Sequence, residues 1–154
     1  MRRKEKEIKD IKKIEQIIMR AQICHLALSL NNIPYVIPLS FGYKDKKIYL
    51  HSAKQGKKID ILKQNNQVCF EFVIDHGLIE SETGCNWGMK FKSVIGFGKG
   101  SFIEDIKKKQ KALNIILKNY SDKTFVLPEK NINNTIIIKI DIEQITGKQS
   151  GFYE

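Results

Sequence analysis

Hydrophobic positions in this chain follow two periods. Over residues 4–22, Ile8, Ile11, Ile14, Ile18 and Ala21 recur every three or four positions, with lysines and glutamates between them. That is the spacing of an amphipathic helix with one buried stripe. From residue 23 the period becomes two. ICHLALSL (23–30) puts Cys24, Leu26, Leu28 and Leu30 on one face. PYVIPLSFGY (34–43) puts Tyr35, Ile37, Leu39, Phe41 and Tyr43 on one face and Val36, Pro38, Ser40 and Gly42 on the other. IYLH (48–51) continues the alternation, so three strands are expected here. Asn31-Asn32 tolerates positive φ and predicts a hairpin, and KDKK (44–47) predicts a second turn.

A short helix to about residue 64 comes next, with Ile59 and Leu62 three apart, and QNNQ ends it. QVCFEFVI (67–74) reads as a strand and 75–86 as a polar loop. A long strand is expected over about 88–100, where Gly96, Gly98 and Gly100 point to curvature or close backbone approach. A second amphipathic helix is expected over about 104–120, with Ile106, Leu113, Leu117 and Tyr120 as its buried stripe and Glu104-Asp105 at its positive end. After a loop containing Pro128, TIIIKIDIEQIT (135–146) forms the last strand. Six strands at hairpin spacing with two or three helices predict a mainly β fold. The expected form is an antiparallel barrel with helices outside, since strands this long hide their edges best by closing up. No repeat or linker divides the chain, and 1–154 reads as one domain.

Composition narrows the function. The chain is 42% hydrophobic and 29% charged, normal for a globular protein. No apolar run reaches the roughly 20 residues of a membrane span. The basic opening MRRKEKEIKDIKK is followed by no apolar stretch and does not read as a secretory signal. Cys24, Cys69 and Cys85 are odd in number and widely spaced, which fits free thiols and a cytoplasmic location. With His25, His51 and His76 they show no metal-ligand spacing. The net charge of +10 points to an anionic partner. It has a plainer reading too: nearly all the positive charge is lysine, in a chain also rich in isoleucine and asparagine, as biased codon usage produces. No aromatics interleave with the basic residues as a nucleic-acid binder would require.

Three segments carry candidate chemistry. In HSAKQGKKID (51–60), Lys57 and Lys58 stand where a helix begins. Free N–H groups and the helix dipole make that end positive, so lysines there are either solvated or share an anion with the N–H groups. The helix starts either at Ser52, with Gln55 closing a capping box, or at Gly56. Pro38 stands in mid-strand and cannot donate to a ladder, which marks an edge strand or a ligand floor beside the small residues Ser40 and Gly42. Trp87, the only tryptophan, opens a strand that also carries Lys92 and Ser93. It is either core or the cover of an aromatic ligand.

The order of these pieces resembles the FMN-binding split-barrel superfamily typified by pyridoxamine 5'-phosphate oxidase, and within it the nitroimidazole-resistance group. The resemblance rests on CHLALSLNNIPYVIPLSFGY, IYLHSAKQGKKIDILKQNNQVCFE, SVIGFGKGSFIED and IIIKIDIEQITGKQSG in sequence. It implies a six-stranded split barrel and a homodimer with FMN at the subunit interface. It implies that Val36, Ile37, Pro38, Leu39 and Ser40 lie along the flavin, and that Gly56, Lys57 and Lys58 hold its phosphate with Ser52 nearby. It further implies that Trp87, Lys92 and Ser93 approach from the partner, and that His51 is the histidine beside the flavin. The expected activity is reduction of a small oxidised molecule such as a nitro compound. The rival readings are a flavin store or sensor, and the same barrel holding haem or a deazaflavin. The chain departs from true pyridoxamine 5'-phosphate oxidases: it ends ITGKQSGFYE and its only arginines are Arg2, Arg3 and Arg20, so the arginine-containing C-terminal signature is missing.

Overall fold

The computed structural model describes residues 3–152. The elements in chain order are β1 (Glu7–Ile8), α1 (Ile11–Arg20), β2 (Cys24–Leu30), β3 (Ile33–Leu39), β4 (Phe41–Lys44), β5 (Lys47–Ala53), α2 (Lys57–Gln64), β6 (Gln67–Ile79), β7 (Gly88–Ile103), α3 (Ile106–Lys118), α4 (Glu129–Asn133) and β8 (Thr135–Ser150). All pairings are antiparallel, in the order β3-β2-β6-β7-β8-β5-β4, with β1 on β8.

The mainly β, split-barrel reading holds, with corrections. Among the described residues there are eight strands rather than six and four α-helices rather than two or three. The pairing path is open: β3 and β4 are its two ends, so the sheet curls without closing. The first helix is shorter than the 4–22 span. A 3-10 turn (Lys4–Lys6) and β1 precede it, because Ile8 pairs with Gly147 instead of joining the helical stripe. Asp10 caps the helix by accepting from the Lys12 N–H, and Ile14, Ile17 and Ile18 are buried while Ile11 is exposed. Residues 75–79 are strand rather than loop. β6 continues to Ile79 around a bulge at Asp75 and His76, where Asp75 adopts positive φ. β7 and β8 run on to Ile103 and Ser150. The buried stripe of α3 is Lys109, Ala112 and Ile116; Tyr120 lies beyond the helix and is exposed. Asp105 caps this helix, as its acidic start predicts, by accepting from the Lys108 N–H.

The turns follow their residues. Asn31, Asn32, Asp45 and Lys46 all take positive φ, the conformation of a two-residue hairpin turn. Inside the curl, Leu26, Leu28, Phe41, Ile48, Leu50, Phe70, Phe72, Val94, Ile138 and Ile140 form the core. Outside, α3 sets Ala112 and Ile116 against Ile137. The glycines of β7 are close-approach positions: a side chain on Gly96 would overlap the Phe70 ring, and one on Gly98 the Asp141 carbonyl. No helix among the described residues is long and apolar enough to cross a membrane.

Candidate functional site

Two clusters of candidate residues emerge. The first gathers around the point where β3 becomes β4. β3 pairs with β2 up to Leu39 opposite Cys24, and β4 pairs with β5 from Phe41 opposite Leu50. Continued by one residue, the β4–β5 register puts Ser40 opposite His51. The Phe41 N–H, which has no strand beyond it, donates to the Tyr120 hydroxyl at 2.8 Å, and that hydroxyl donates to the Gln22 carbonyl at 2.9 Å. One side chain therefore ties the corner to the end of α3 and to the segment before β2.

On β3 the alternation works as expected. Tyr35, Ile37 and Leu39 pack toward the core, and Val36, Pro38 and Ser40 are exposed. Pro38 stands on an edge strand, the setting its missing N–H demands. On β5, Ile48, Leu50 and Ser52 point inward and His51 points outward into solvent. Ser52 is 6% exposed and its hydroxyl donates to the Ala53 carbonyl, so it lies on the core side of this strip.

The helix begins at Gly56, and Ser52 forms no cap. Gly56 is the N-cap of α2, with φ +123° and no side-chain cap on the helix N–H groups. A side chain at Gly56 would meet nothing within 4 Å, so the backbone conformation, and not crowding, calls for glycine. Lys57 and Lys58 occupy the first turn with Asp60 behind them. The Lys57 ammonium sits 4.6 Å from the centre of the Tyr35 ring, which joins the lysine pair to β3. Periodicity placed Tyr35 in the core stripe and gave no sign of this contact. An uncapped helix start with two lysines and open space suits an anion, and the exposed strip Val36–Ser40 beside it suits a flat group.

The second cluster lies elsewhere in the chain. β2 reaches β6 only between His25–Ala27 and Cys69–Glu71, so the distal half of the β6–β7 hairpin, with Trp87, Lys92 and Ser93, has no strand beyond it on that side. The Trp87 indole N–H donates to the Ser81 carbonyl at 2.7 Å and the ring is half exposed. Ser93 is buried. Lys92 pairs with Asp75 at 3.3 Å and lies under the Phe152 ring. Asp75 also takes two hydrogen bonds from Arg20, at 2.6 and 3.2 Å. The Arg20 hydrogen bonds, with help from Lys92, hold its carboxyl below the usual range. Lys92, Arg20, Lys13, Gln16, Gln149 and Phe152 line a groove of about 330 Å³. Among the described residues no hydrogen bond, ion pair or cation–π contact joins the two clusters.

Between them the outer face of the sheet carries residues the sequence reading did not select. Register aligns Val36, Ala27, Cys69, Phe97 and Gln144 in one row, and Pro38, His25, Glu71, Ile95 and Thr146 in the next. Val36, Phe97 and Ile95 are 63%, 51% and 41% exposed. The His25 Nδ1 is buried without a hydrogen-bond partner, 3.9 Å from the Glu71 carboxylate. Cys24, on the opposite face of β2, is sealed in the core, and burial pushes its thiol up to about 12.

No curated protein sequence matches the chain. Among solved structures, a candidate 5-nitroimidazole antibiotic resistance protein from Bacteroides thetaiotaomicron is 37% identical, with a TM-score of 0.84 over 93% of this chain and 86% of that one. The flavocytochrome Anf3 from Azotobacter vinelandii superposes with a TM-score of 0.85 at 19% identity, over 99% of this chain and 72% of that one. An FAD and haem binding protein from Mycobacterium smegmatis superposes at 0.86 with 14% identity, over 96% and 75%. These last two share the fold. The sequence itself matches the pyridoxamine 5'-phosphate oxidase family over residues 10–149, and the chain belongs to that family.

Proposed function

We propose that this protein is an FMN-dependent oxidoreductase that works as a homodimer and reduces a small oxidised substrate, a nitro compound being the leading candidate. The observation that carries the reading is the meeting, at one corner, of an uncapped helix start bearing Lys57 and Lys58 with the exposed, proline-marked edge strand Val36–Ser40. The family and the 37% identical resistance protein support it. In this reading Lys57, Lys58 and the Gly56 turn hold the phosphate. Val36 to Ser40 lie along the ring and its side chain, with Ser52 behind the strip. Trp87, Lys92 and Ser93 belong to the partner's side of the site.

A bound flavin supplies the electron chemistry, and the protein supplies binding, orientation and electrostatics. In this reading the exposed His51 imidazole, opposite Ser40 in the continued β4–β5 register, would donate a proton to a substrate reduced there. The sequence holds no Gly-rich dinucleotide fingerprint, so a nicotinamide donor would bind only transiently. The B6 oxidase activity of the family's namesake is not proposed; Arg2, Tyr153 and Glu154 lie outside the described residues.

The test is purification without added cofactor, a visible spectrum, and anaerobic reduction followed by mixing with a nitroaromatic acceptor. A flavin spectrum and acceptor-dependent reoxidation support the proposal. A haem or deazaflavin spectrum changes the cofactor, and bound flavin that no acceptor reoxidises makes the protein a carrier. Colourless protein that takes up no FMN leaves the fold alone standing.

A further inference from the structure

A groove that belongs to neither cluster lies between the end of α1, β4 and the last turns of α3. Met19, Tyr43, Lys44, Ile115, Lys118 and Asn119 line it, and its volume is about 490 Å³. Small-molecule sites span roughly 300–1,000 Å³. Helical spacing brings Ile115, Lys118 and Asn119 to one side of the chain, three and four residues apart. β4 can approach α3 this closely because Gly42 has no side chain: a Cβ there would stand 2.7 Å from the Ile115 carbonyl.

The groove contains a donor that the fold leaves unused. The Asn119 Nδ2 is shut off from solvent and has no hydrogen-bond partner among the described residues. A buried donor without a partner is costly, and folded proteins keep few of them. Ending the helix does not explain it, because the Asn119 backbone N–H does that work by donating to the Ile116 and Leu117 carbonyls. The Tyr43 hydroxyl is already committed, donating to the Glu15 carboxylate at 2.9 Å. Lys44 and Lys118 form no ion pair among the described residues.

Charge selects the ligand. From Lys44 and Ile115 a larger groove of about 670 Å³ continues toward the start of α3, and the acidic residues Asp45, Glu104 and Asp105 line that part. The Lys118 end holds only positive groups. The C-terminal dipole of α3 opposes an anion there, and two ammonium groups outweigh it. Met19, 54% exposed, adds an apolar surface with Ile115 and the Tyr43 ring. We propose that this groove is a second ligand site, for a small organic acid. Its carboxylate lies among Lys44, Lys118 and the Asn119 amide, and its apolar body rests on Met19, Ile115 and Tyr43. The site uses no residue of the flavin reading and does not depend on it.

The probe is benzoate, titrated by calorimetry into the full chain as purified, with benzamide as its uncharged counterpart. Wild type should bind benzoate saturably and benzamide about tenfold more weakly or worse. Lys118→Met keeps the apolar stem and removes the charge. Asn119→Leu removes the amide at similar volume. Each should weaken benzoate binding about tenfold or more, with an unchanged far-UV circular dichroism spectrum. If Asn119→Leu does not fold, Lys44→Met takes its place beside Lys118→Met with the same expectation. Benzoate binding that the variants retain in full would place the acid elsewhere, the flavin pocket included, and overturn the proposal. So would benzamide binding as tightly as benzoate, or wild type that binds no benzoate at millimolar concentration.

Discussion

At the residue scale, the proposed phosphate site rests on the charges at the start of α2. Two lysines in the first turn of a helix oppose its dipole by about 0.3–1 kcal/mol when exposed and unpaired. A phosphate between them reverses that sign, and each charge-assisted hydrogen bond contributes roughly 1.5–3 kcal/mol. Replacing both Lys57 and Lys58 by alanine should weaken FMN binding by about two orders of magnitude or more, and superimposable titrations for mutant and wild type would remove them from the site. The Tyr35 ring beneath Lys57 predicts a smaller loss on truncating the tyrosine alone. His51 makes the complementary case. His51→Ala should keep FMN but slow substrate-dependent reoxidation by about 10²-fold if it is the proton donor. Stopped-flow traces that coincide would hand that role to solvent.

At the element scale, the bulge in β6 joins three separate pieces of chain. It turns Asp75 into reach of Arg20 at the end of α1 and Lys92 on β7. Both partners stabilise the carboxylate, so the folded protein holds this proton more weakly than the unfolded chain. The resulting stability is fully present above the ordinary carboxylate range near 3.9 and is lost as pH falls through the lower folded value. The cluster is partly solvated, which limits its contribution to about 1 kcal/mol. Asp75→Asn should lower the melting temperature near neutral pH and bring variant and wild type together in strong acid. A difference that persists unchanged at the lowest pH would mean that Asp75 acts through backbone shape at the bulge.

At the scale of the whole molecule, the exposed row Val36–Phe97 and its neighbour Ile95 leave an apolar stripe on the outer face of the sheet. This stripe is the surface that the proposed dimer would cover. One chain also keeps Trp87, Lys92 and Ser93 apart from the β3 corner, which a second copy can remedy. Phe97→Glu should convert the proposed dimer to monomers in sedimentation experiments and weaken FMN binding at the same time. A monomeric wild type that binds FMN tightly would refute the shared-site arrangement.

What the sequence determined by itself was whatever depends on neighbours along the chain. The two-residue period set the faces of β2, β3 and β5, and the paired asparagines set the first hairpin. Asp105 set the start of α3. Pro38 marked an edge strand because proline's missing donor is a local fact. The start of α2 was legible only as two alternatives, since a capping box and a glycine start are equally local, and the fold chose glycine. Contacts between distant residues were beyond reach. Ile8 left its helix because Gly147 was there to pair with it. Tyr120 left the buried stripe because the Phe41 N–H and the Gln22 carbonyl claimed its hydroxyl. β6 outran its apolar stretch because the bulge let β7 carry the pairing through polar residues to Ile79. The open sheet path was decided in the same way: alternation tells which face of a strand is buried, and only strand order tells which edges remain free to bind.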